Sequence, residues 1–188
     1  MAKPIKILGV VGSLRKGSYN KSLMRIAMNL LPKSAEMEVF DLAEIPLFNQ
    51  DLVPKPPKIV KEFKAKIRGA DAILIASPEY NYSIPGVLKN AIDWASRPPE
   101  DNAFDAKPVA IMSASTGRLG GARMQYHLRQ TFVYLNMYPL NRPEFMLSNA
   151  KEHFDMDGNL KDEETRQRIR ELLTALVQWT RKMKEKQA

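Results

Sequence analysis

The stretch that decides the fold is Ala72-Ile-Leu-Ile-Ala-Ser-Pro-Glu-Tyr-Asn-Tyr-Ser-Ile-Pro-Gly86. Its first five residues are small or aliphatic, and they predict a buried strand. Its last ten residues form a polar, aromatic loop, after which apolar residues recur at helical spacing from Val87 to Ala95. Because ligands bind beyond the carboxyl ends of strands in open α/β sheets, this loop is the first candidate site.

The same alternation of strand and helix recurs along the whole chain. Strands are predicted at residues 5–11, 37–42, 72–76 and 108–113, with a fifth inside 137–147. Helices are predicted between them and near the carboxyl terminus, where apolar residues from Ile169 to Val177 share one face. This order predicts a single α/β domain over residues 1–188, with helices on both faces of a parallel sheet.

The composition excludes several kinds of chemistry. The chain contains no cysteine, so disulfides, thiol catalysis and thiolate metal sites are excluded. The two histidines, His127 and His153, lie far apart in the sequence, and no metal site is predicted. No apolar run is long enough to span a membrane, and the first residues do not resemble a secretory signal. We therefore expect a cytoplasmic protein.

The net charge leaves the type of ligand open. A formal charge of +8 fits a small anionic ligand as well as a polyanion. No long run of like charge and no recognition motif favours nucleic acid, although the charge keeps a nucleic-acid-binding domain as an alternative. We expect neither nucleic acid nor a membrane as a partner.

The first polar loop, Gly12-Ser-Leu-Arg-Lys-Gly-Ser-Tyr-Asn20, has the composition of a phosphate site. It combines hydroxyls, backbone donors, an arginine and the start of a helix. It is not a Walker motif, because Ser18 stands where that motif requires lysine, and it holds no dinucleotide fingerprint. The alternative is an ordinary connection in which Ser18 or Asn20 caps the helix.

The other two loops have a different character. Tyrosines, an asparagine and two prolines in residues 77–86 suit a flat ring with polar edges. The alternative is that Ser83 caps the next helix and the tyrosines only pack. Residues 114–121 hold three glycines that permit close approach of the backbone to a ligand, although a flexible connector would look the same.

The side chains alone do not supply redox or nucleophilic chemistry. There is no thiol, no predicted metal site and no clear nucleophile–base pair, so an enzyme of this sequence needs a cofactor. A phosphate loop beside a ring-binding loop indicates a mononucleotide, with flavin as the leading candidate.

Three segments carry a resemblance to a known family. Residues 12–20, 77–94 and 120–129 occur in order within about residues 5–147, and they resemble the NADPH-dependent FMN reductase family, in particular its quinone-, azo- and chromate-reducing members. The resemblance implies a flavodoxin-like three-layer sandwich with a five-stranded parallel sheet of order 2-1-3-4-5. It also implies FMN across the ends of strands 1, 3 and 4.

The resemblance further implies which residues hold FMN. The phosphate would lie on the first loop and the isoalloxazine between the other two loops, on Ser13, Arg15, Ser18, Asn20, Pro78, Glu79, Tyr80, Asn81, Ser115, Thr116 and Gly117. Arg118 is a further candidate for the phosphates of the nicotinamide nucleotide. The resemblance implies no catalytic side chain, because the mechanism it implies is ping-pong hydride transfer from NADPH or NADH through FMN to an acceptor.

The acceptor implied is a quinone, a flavin, an azo compound or a metal oxyanion. A non-enzymatic electron carrier of the flavodoxin type is the main alternative, although such carriers are usually strongly acidic. A phosphate-binding enzyme without flavin is a further alternative.

The resemblance also implies a homodimer or homotetramer. Arg123, Tyr126 and His127 lie on the predicted helix after the third loop, where Arg123 and Tyr126 share a face at spacing i, i+3. Together with Glu144 they are candidates for a polar cluster between subunits. The alternative is an ordinary solvated helix face.

Overall fold

Strands and helices alternate along the chain, and the computed structural model describes residues 3–186. The strands are β1 (Ile5–Val11), β2 (Ala35–Phe40), β3 (Ala72–Ala76), β4 (Pro108–Ala114), β5 (Tyr138–Pro139) and β6 (Phe145–Leu147). The helices are α1 (Tyr19–Asn29), α2 (Lys58–Gly69), α3 (Gly86–Ala95), α4 (Ala122–Tyr134), α5 (Ala150–His153) and α6 (Glu163–Glu185).

The strands form one parallel sheet in the order β2-β1-β3-β4-β5, with β6 also paired to β4. This order confirms the predicted 2-1-3-4-5 arrangement. Alternate residues of β1 supply two separate cores: Ile7 faces α1 and α6, whereas Leu8 faces α2, α3 and α4. The sheet is therefore the middle layer of a three-layer sandwich, as predicted.

The sequence predicts one fifth strand, whereas the structure has two short strands at this position of the sheet. It is divided into β5, which pairs with Pro108 and Val109 of β4, and β6, which pairs with Met112 to Ala114. Pro139 and Pro143 lack the N–H that a continuous ladder requires, so pairing stops between the two short strands.

Strand β2 begins and ends two residues earlier than the predicted range 37–42. Its register pairs Ala35 with Ile5 and Phe40 with Val10. Beyond Phe40 the carboxylate of Asp41 accepts a hydrogen bond from the N–H of Ala43 at 3.0 Å. This local bond forms a turn, which competes with extension of the strand.

Helix α6 runs across the sheet from its carboxyl end to its amino end. Asp162 caps its first turn by accepting a hydrogen bond from the N–H of Thr165 at 2.7 Å, and Lys184 near its last turn pairs with Asp71. Burial raises the pKa of Asp162, but hydrogen bonds from Thr165 and His153 outweigh burial and lower this pKa to about 2. Within residues 3–186, no helix is long and apolar enough to cross a membrane. The cytoplasmic location stays a prediction.

The three candidate loops lie side by side because β1, β3 and β4 are neighbours in the sheet. The N–H of Gly12 donates to the carbonyl oxygen of Ala76 at 2.9 Å, which joins the start of the first loop to β3. The N–H of Ser77 donates to the carbonyl oxygen of Met112 at 3.1 Å, which joins the second loop to β4. Segments that are distant in sequence therefore share one edge of the sheet.

Candidate active site

The three loops border one open cavity of about 170 Å³. Its wall brings together nine of the eleven residues predicted to hold a cofactor, and Tyr19 and Ala114 complete it. The nine are Ser13, Arg15, Ser18, Asn20, Pro78, Glu79, Tyr80, Ser115 and Thr116. Asn81 and Gly117 lie outside the wall, and Arg118 is exposed on the third loop.

The first loop ends at the amino terminus of α1. Ser18 is the N-cap residue, and its hydroxyl oxygen accepts a hydrogen bond from the N–H of Lys21 at 3.4 Å, which leaves the hydroxyl proton free to donate. The first turn of α1 contains no acidic residue, so the positive end of the helix is not neutralised there. Arg15 forms no ion pair with any carboxylate in the described chain, and it therefore remains available for an anion.

Asn20 has a different position from the other phosphate candidates. Its side chain is buried, its Nδ2 donates to the carbonyl oxygen of Ala114 at 2.9 Å, and its Oδ1 accepts from the N–H of Ala114 at 3.0 Å. Both ends of the amide are therefore used to join α1 to β4. Only the backbone N–H of Asn20, in the unsatisfied first turn of the helix, remains for a phosphate.

Close packing of the first two loops depends on Gly12. A Cβ atom at this position would lie 2.4 Å from the hydroxyl oxygen of Ser77. Ser77 is fully buried and begins the second loop. Glycine is therefore required for the two loops to meet at the observed distance.

The second loop contains a tight hairpin turn that the sequence pattern does not predict. The backbone groups of Tyr80 and Ser83 exchange two hydrogen bonds, of 3.1 and 2.9 Å. Between them, Asn81 and Tyr82 both have positive φ angles, of 49° and 67°, as a type I′ turn requires. Asn-Gly is the residue pair most typical of a type I′ turn. Asn81 fits this pattern, but Tyr82 stands where glycine is usual, so the sequence gives only half of the pattern.

Helix α3 also begins differently from the alternative considered for Ser83. Pro85 is the N-cap residue, and no side chain caps the helix. The hydroxyl of Ser83 is instead hydrogen-bonded to Nδ1 of His127 on α4, at 2.9 Å. The loop is thus attached to a neighbouring helix and not to the helix that follows it.

The third loop is held by a buried polar network. The hydroxyl of Ser113 donates to the carbonyl oxygen of Gly120 at 2.6 Å, and Nε2 of Gln125 donates to Ser113 Oγ and to the carbonyl oxygen of Phe145, each at 2.8 Å. Gly121 has φ 90° and leaves no room for a side chain against Ser113. These contacts argue against a merely flexible connector. A glutamine on a helix gives no sequence signal for burial, so its role was not predicted.

The donor set of the cavity fits FMN. Hydroxyls, an arginine and a helix amino terminus suit the phosphate, whereas Pro78, Tyr80 and the small residues of the third loop suit a flat ring. The carboxylate of Glu79 in the wall is neutralised by an ion pair with Arg123, so it does not oppose an anionic ligand.

A sequence model of the family described as NADPH-dependent FMN reductase matches residues 5–152. The chain belongs to this family. The assignment confirms the predicted resemblance and an oxidoreductase that works with NAD(P)H and FMN. The assignment also argues against the three alternatives that the sequence leaves open: a non-enzymatic electron carrier, a nucleic-acid-binding domain and a phosphate-binding enzyme without flavin.

Several curated relatives of this reductase match over nearly their whole length. An NAD(P)H-dependent FMN reductase of Pseudomonas aeruginosa is 51% identical over 185 residues, covering 98% of this chain and 100% of the relative. An NAD(P)H:quinone oxidoreductase of Solanum tuberosum is 49% identical, covering 97% of this chain and 96% of the relative. A quinone reductase of Escherichia coli is 40% identical, with coverage of 98% and 100%.

Solved structures confirm the flavodoxin-like fold of the reductase. The flavoenzyme NAD(P)H:(acceptor) oxidoreductase FerB from Paracoccus denitrificans aligns with a TM-score of 0.88 at 34% identity, covering 95% of this chain and 98% of the other. An oxidoreductase from Corynebacterium diphtheriae aligns with a TM-score of 0.69 at 14% identity, covering 96% and 99%, and this match supports the fold alone.

Proposed function

We propose that this reductase transfers hydride from NAD(P)H to a quinone by a ping-pong mechanism at the three-loop cavity. The observation that carries the proposal is the meeting of phosphate-type donors and a ring-type loop in one cavity. The relatives named quinone oxidoreductases in Solanum tuberosum and Escherichia coli support a quinone as the acceptor. Overall, NAD(P)H loses a hydride, and the quinone gains that hydride and one proton from water to become a hydroquinone.

When bound, FMN would supply the two-electron redox chemistry of the reaction. The residues of the chain bind and orient it. Ser13, Arg15 and Ser18 would hold the phosphate by hydroxyl and guanidinium donors. Pro78 and Tyr80 would border the ring on one side and Ser115 and Thr116 on the other, whereas Gly117 lies beyond the cavity wall. No side chain needs to act as an acid or a base.

In a ping-pong mechanism the two substrates bind in turn at the same position, and this affects which acceptors the cavity can take. An open cavity with few charged residues in its wall admits acceptors of different shapes, so azo compounds, free flavins and metal oxyanions are secondary acceptors in this proposal. Initial rates measured while NADPH and a benzoquinone are both varied should give parallel double-reciprocal lines. Intersecting lines would contradict a ping-pong mechanism in which both substrates bind at the same position.

The flavin itself is tested by the visible spectrum of the purified protein before and after anaerobic NADPH. Flavin bands that bleach on addition are the expected result. A colourless protein that neither binds nor reduces added FMN would overturn the proposal. A colourless protein that reduces added FMN would place flavin among its substrates, and its dissociation constant would then be measured by titration.

The same proposal includes a homodimer or homotetramer that uses Arg123, Tyr126 and Glu144. Tyr126 is 54% exposed, and no cation within residues 3–186 lies within ion-pair distance of Glu144. Exposed tyrosines are enriched at interfaces, and the carboxylate of Glu144 is free to pair with a basic residue of a second copy. Light scattering of the double variant Tyr126→Ala, Glu144→Ala should give a smaller particle than the native chain. An unchanged mass would remove these residues from the interface.

A further inference from the structure

Glu79 lies in the cavity wall, but its side chain is used by a different part of the molecule. The side chain is only 7% exposed. Its carboxylate accepts hydrogen bonds from Nε of Arg123 at 2.5 Å and from the N–H of Met124 at 3.3 Å. Both donors belong to the first turn of α4, so the second loop supplies a capping carboxylate to the helix that follows the third loop.

Helix α4 has no cap of its own. Its N-cap residue is Gly121, which has no side chain, and the packing of Ser113 leaves no room for one. The amino end of α4 therefore needs an acceptor from elsewhere, because the first N–H groups of a helix have no partner within it. Glu79 is the residue that provides it.

Arg123 extends the same contact to the tip of the hairpin turn. Its guanidinium lies 3.5 Å over the ring of Tyr82, a residue held at a positive φ angle. The hydrogen bond to Glu79 is the main cause that raises the pKa of Arg123, so the group stays charged. One ion pair thus joins α4 to both the base and the tip of the ring-binding turn.

The pair is also an electrostatic device, because one of its two charges is buried in the wall. The carboxylate of Glu79 is almost fully removed from solvent, whereas Arg123 is 38% exposed. Charges in a partly desolvated wall act on a nearby ligand more strongly than surface charges do. Because the two charges cancel, removing either one exposes the other.

We propose that Glu79 and Arg123 are a positioning pair that holds the ring-binding loop on α4 and balances the charge beside the bound flavin. The inference rests on the proposed placement of FMN. Reduced FMN carries more negative charge on its ring than oxidised FMN, so an unbalanced charge in the wall separates their affinities. Glu79 alone disfavours reduced FMN, and Arg123 alone favours it.

The test uses FMN-loaded protein and measures the midpoint potential of the bound flavin. Arg123→Gln should lower the potential, and Glu79→Gln should raise it. Each shift should correspond to about a tenfold change in the ratio of the dissociation constants of oxidised and reduced FMN. The double variant should return close to the native potential. Shifts in the same direction, or no shifts, would overturn the proposal.

A matched control is the ion pair between Lys89 and Asp93 on α3, the helix that directly follows the same loop. Lys89 is exposed and Asp93 is half-buried at the surface, so solvent screens the pair, and Lys89→Gln and Asp93→Asn should leave the potential unchanged. Arg123→Lys keeps the charge but loses the forked contact, and it should retain the native potential while binding FMN a few times more weakly. A potential that moves with Arg123→Lys as far as with Arg123→Gln would refute the role of charge.

The two proposals fail in different ways. A native protein that does not bind or reduce FMN would end the proposed function and the inference with it. A native protein whose flavin bleaches with NADPH, together with variants that show no opposite shifts, would end the inference alone.

Discussion

The two ends of the parallel sheet differ in whether their polar groups have partners inside the protein. At the amino end, the ammonium of Lys107 donates to the carbonyl oxygens of Arg68 and Ala70, at 3.0 and 2.6 Å. Asp71 accepts from Lys184 at 2.6 Å and from a backbone N–H at 2.9 Å. Burial lowers the pKa of Lys107, whereas hydrogen bonds outweigh burial and lower the pKa of Asp71.

At the carboxyl end, several donors remain without a protein partner. Arg15 lines the cavity without an ion pair in the part of the chain that the structure describes, and the hydroxyls of Ser13 and Ser18 keep a proton to donate. A polar group that is satisfied internally holds the fold, and its removal leaves a buried partner without a bond. A group that faces an open cavity can exchange water for a ligand at little cost. The presence or absence of an internal partner therefore distinguishes polar groups that hold the fold from groups that are left available for a ligand.

The largest expected effect comes from removing Arg15, which lines the cavity and has no ion-pair partner within residues 3–186. Arg15→Ala should weaken FMN binding by about tenfold to hundredfold, because a charge-assisted contact contributes about 1.5–3 kcal/mol. The melting temperature of the FMN-free protein should not change. Arg25→Ala on α1 is the control, since Arg25 donates to Asn159 and to two backbone carbonyls and should affect stability but not FMN affinity. Equal FMN affinity for the native protein and Arg15→Ala would contradict the claim that unpaired groups at the carboxyl end bind the ligand.

The next effect concerns the close contact of the first two loops. Gly12→Ala should lower the free energy of unfolding by about 1–3 kcal/mol, because its Cβ would overlap Ser77, and FMN affinity should fall with it. Urea unfolding and fluorescence titration would measure the two quantities. Gly86→Ala is the control, because no atom lies within 4 Å of its Cβ position. A native-like Gly12→Ala protein would show that the loops can separate without loss.

A smaller effect is expected at the amino end. Lys107→Met should lower the free energy of unfolding by about 1–2 kcal/mol, since two carbonyl oxygens lose their donor. FMN affinity and the visible spectrum should stay native, because the residue lies at the opposite end of the sheet. Changed FMN binding in this variant would contradict the view that polar groups at the amino end stabilise the fold while those at the carboxyl end bind FMN.

The smallest effect belongs to Asp162, a carboxyl-end residue whose partners are all internal. Asp162→Ala should cost about 1 kcal/mol of unfolding free energy at neutral pH. The folded pKa of about 2 lies below the ordinary 3.8, so the carboxylate stabilises the fold above pH 3.8 and this contribution is lost as pH falls towards 2. The difference between variant and native protein should therefore shrink on acidification. Asp162→Asn, which still caps the helix, should lose less stability than Asp162→Ala.

The fold was largely predictable because its signals are local. Buried strands appear as short apolar runs, and the alternation of strand and helix leaves few topologies. The errors have local causes too: Asp41 forms a turn that ends β2, and two prolines divide the fifth strand. The strand ends depend on hydrogen-bond partners, which apolar periodicity does not report.

The sequence was sufficient to predict which residues form the candidate site, but not the hydrogen bonds that each side chain makes there. The sequence contained the loops that meet in one cavity, but it did not show that the amide of Asn20 is used by Ala114. It also did not show the buried contact between Ser113 and Gln125. These contacts join residues from different elements, so no local pattern records them.

By itself, the sequence determined the class of fold, the three loops and the absence of thiol chemistry, because these depend on residue types and their spacing. Only the tertiary structure decided that the carboxylate of Glu79 turns to α4 and pairs with Arg123. It also decided that Asn81 and Tyr82 occupy a left-handed turn. The physical reason is that a side chain's hydrogen bonds depend on which groups the folded chain brings within about 3 Å of it.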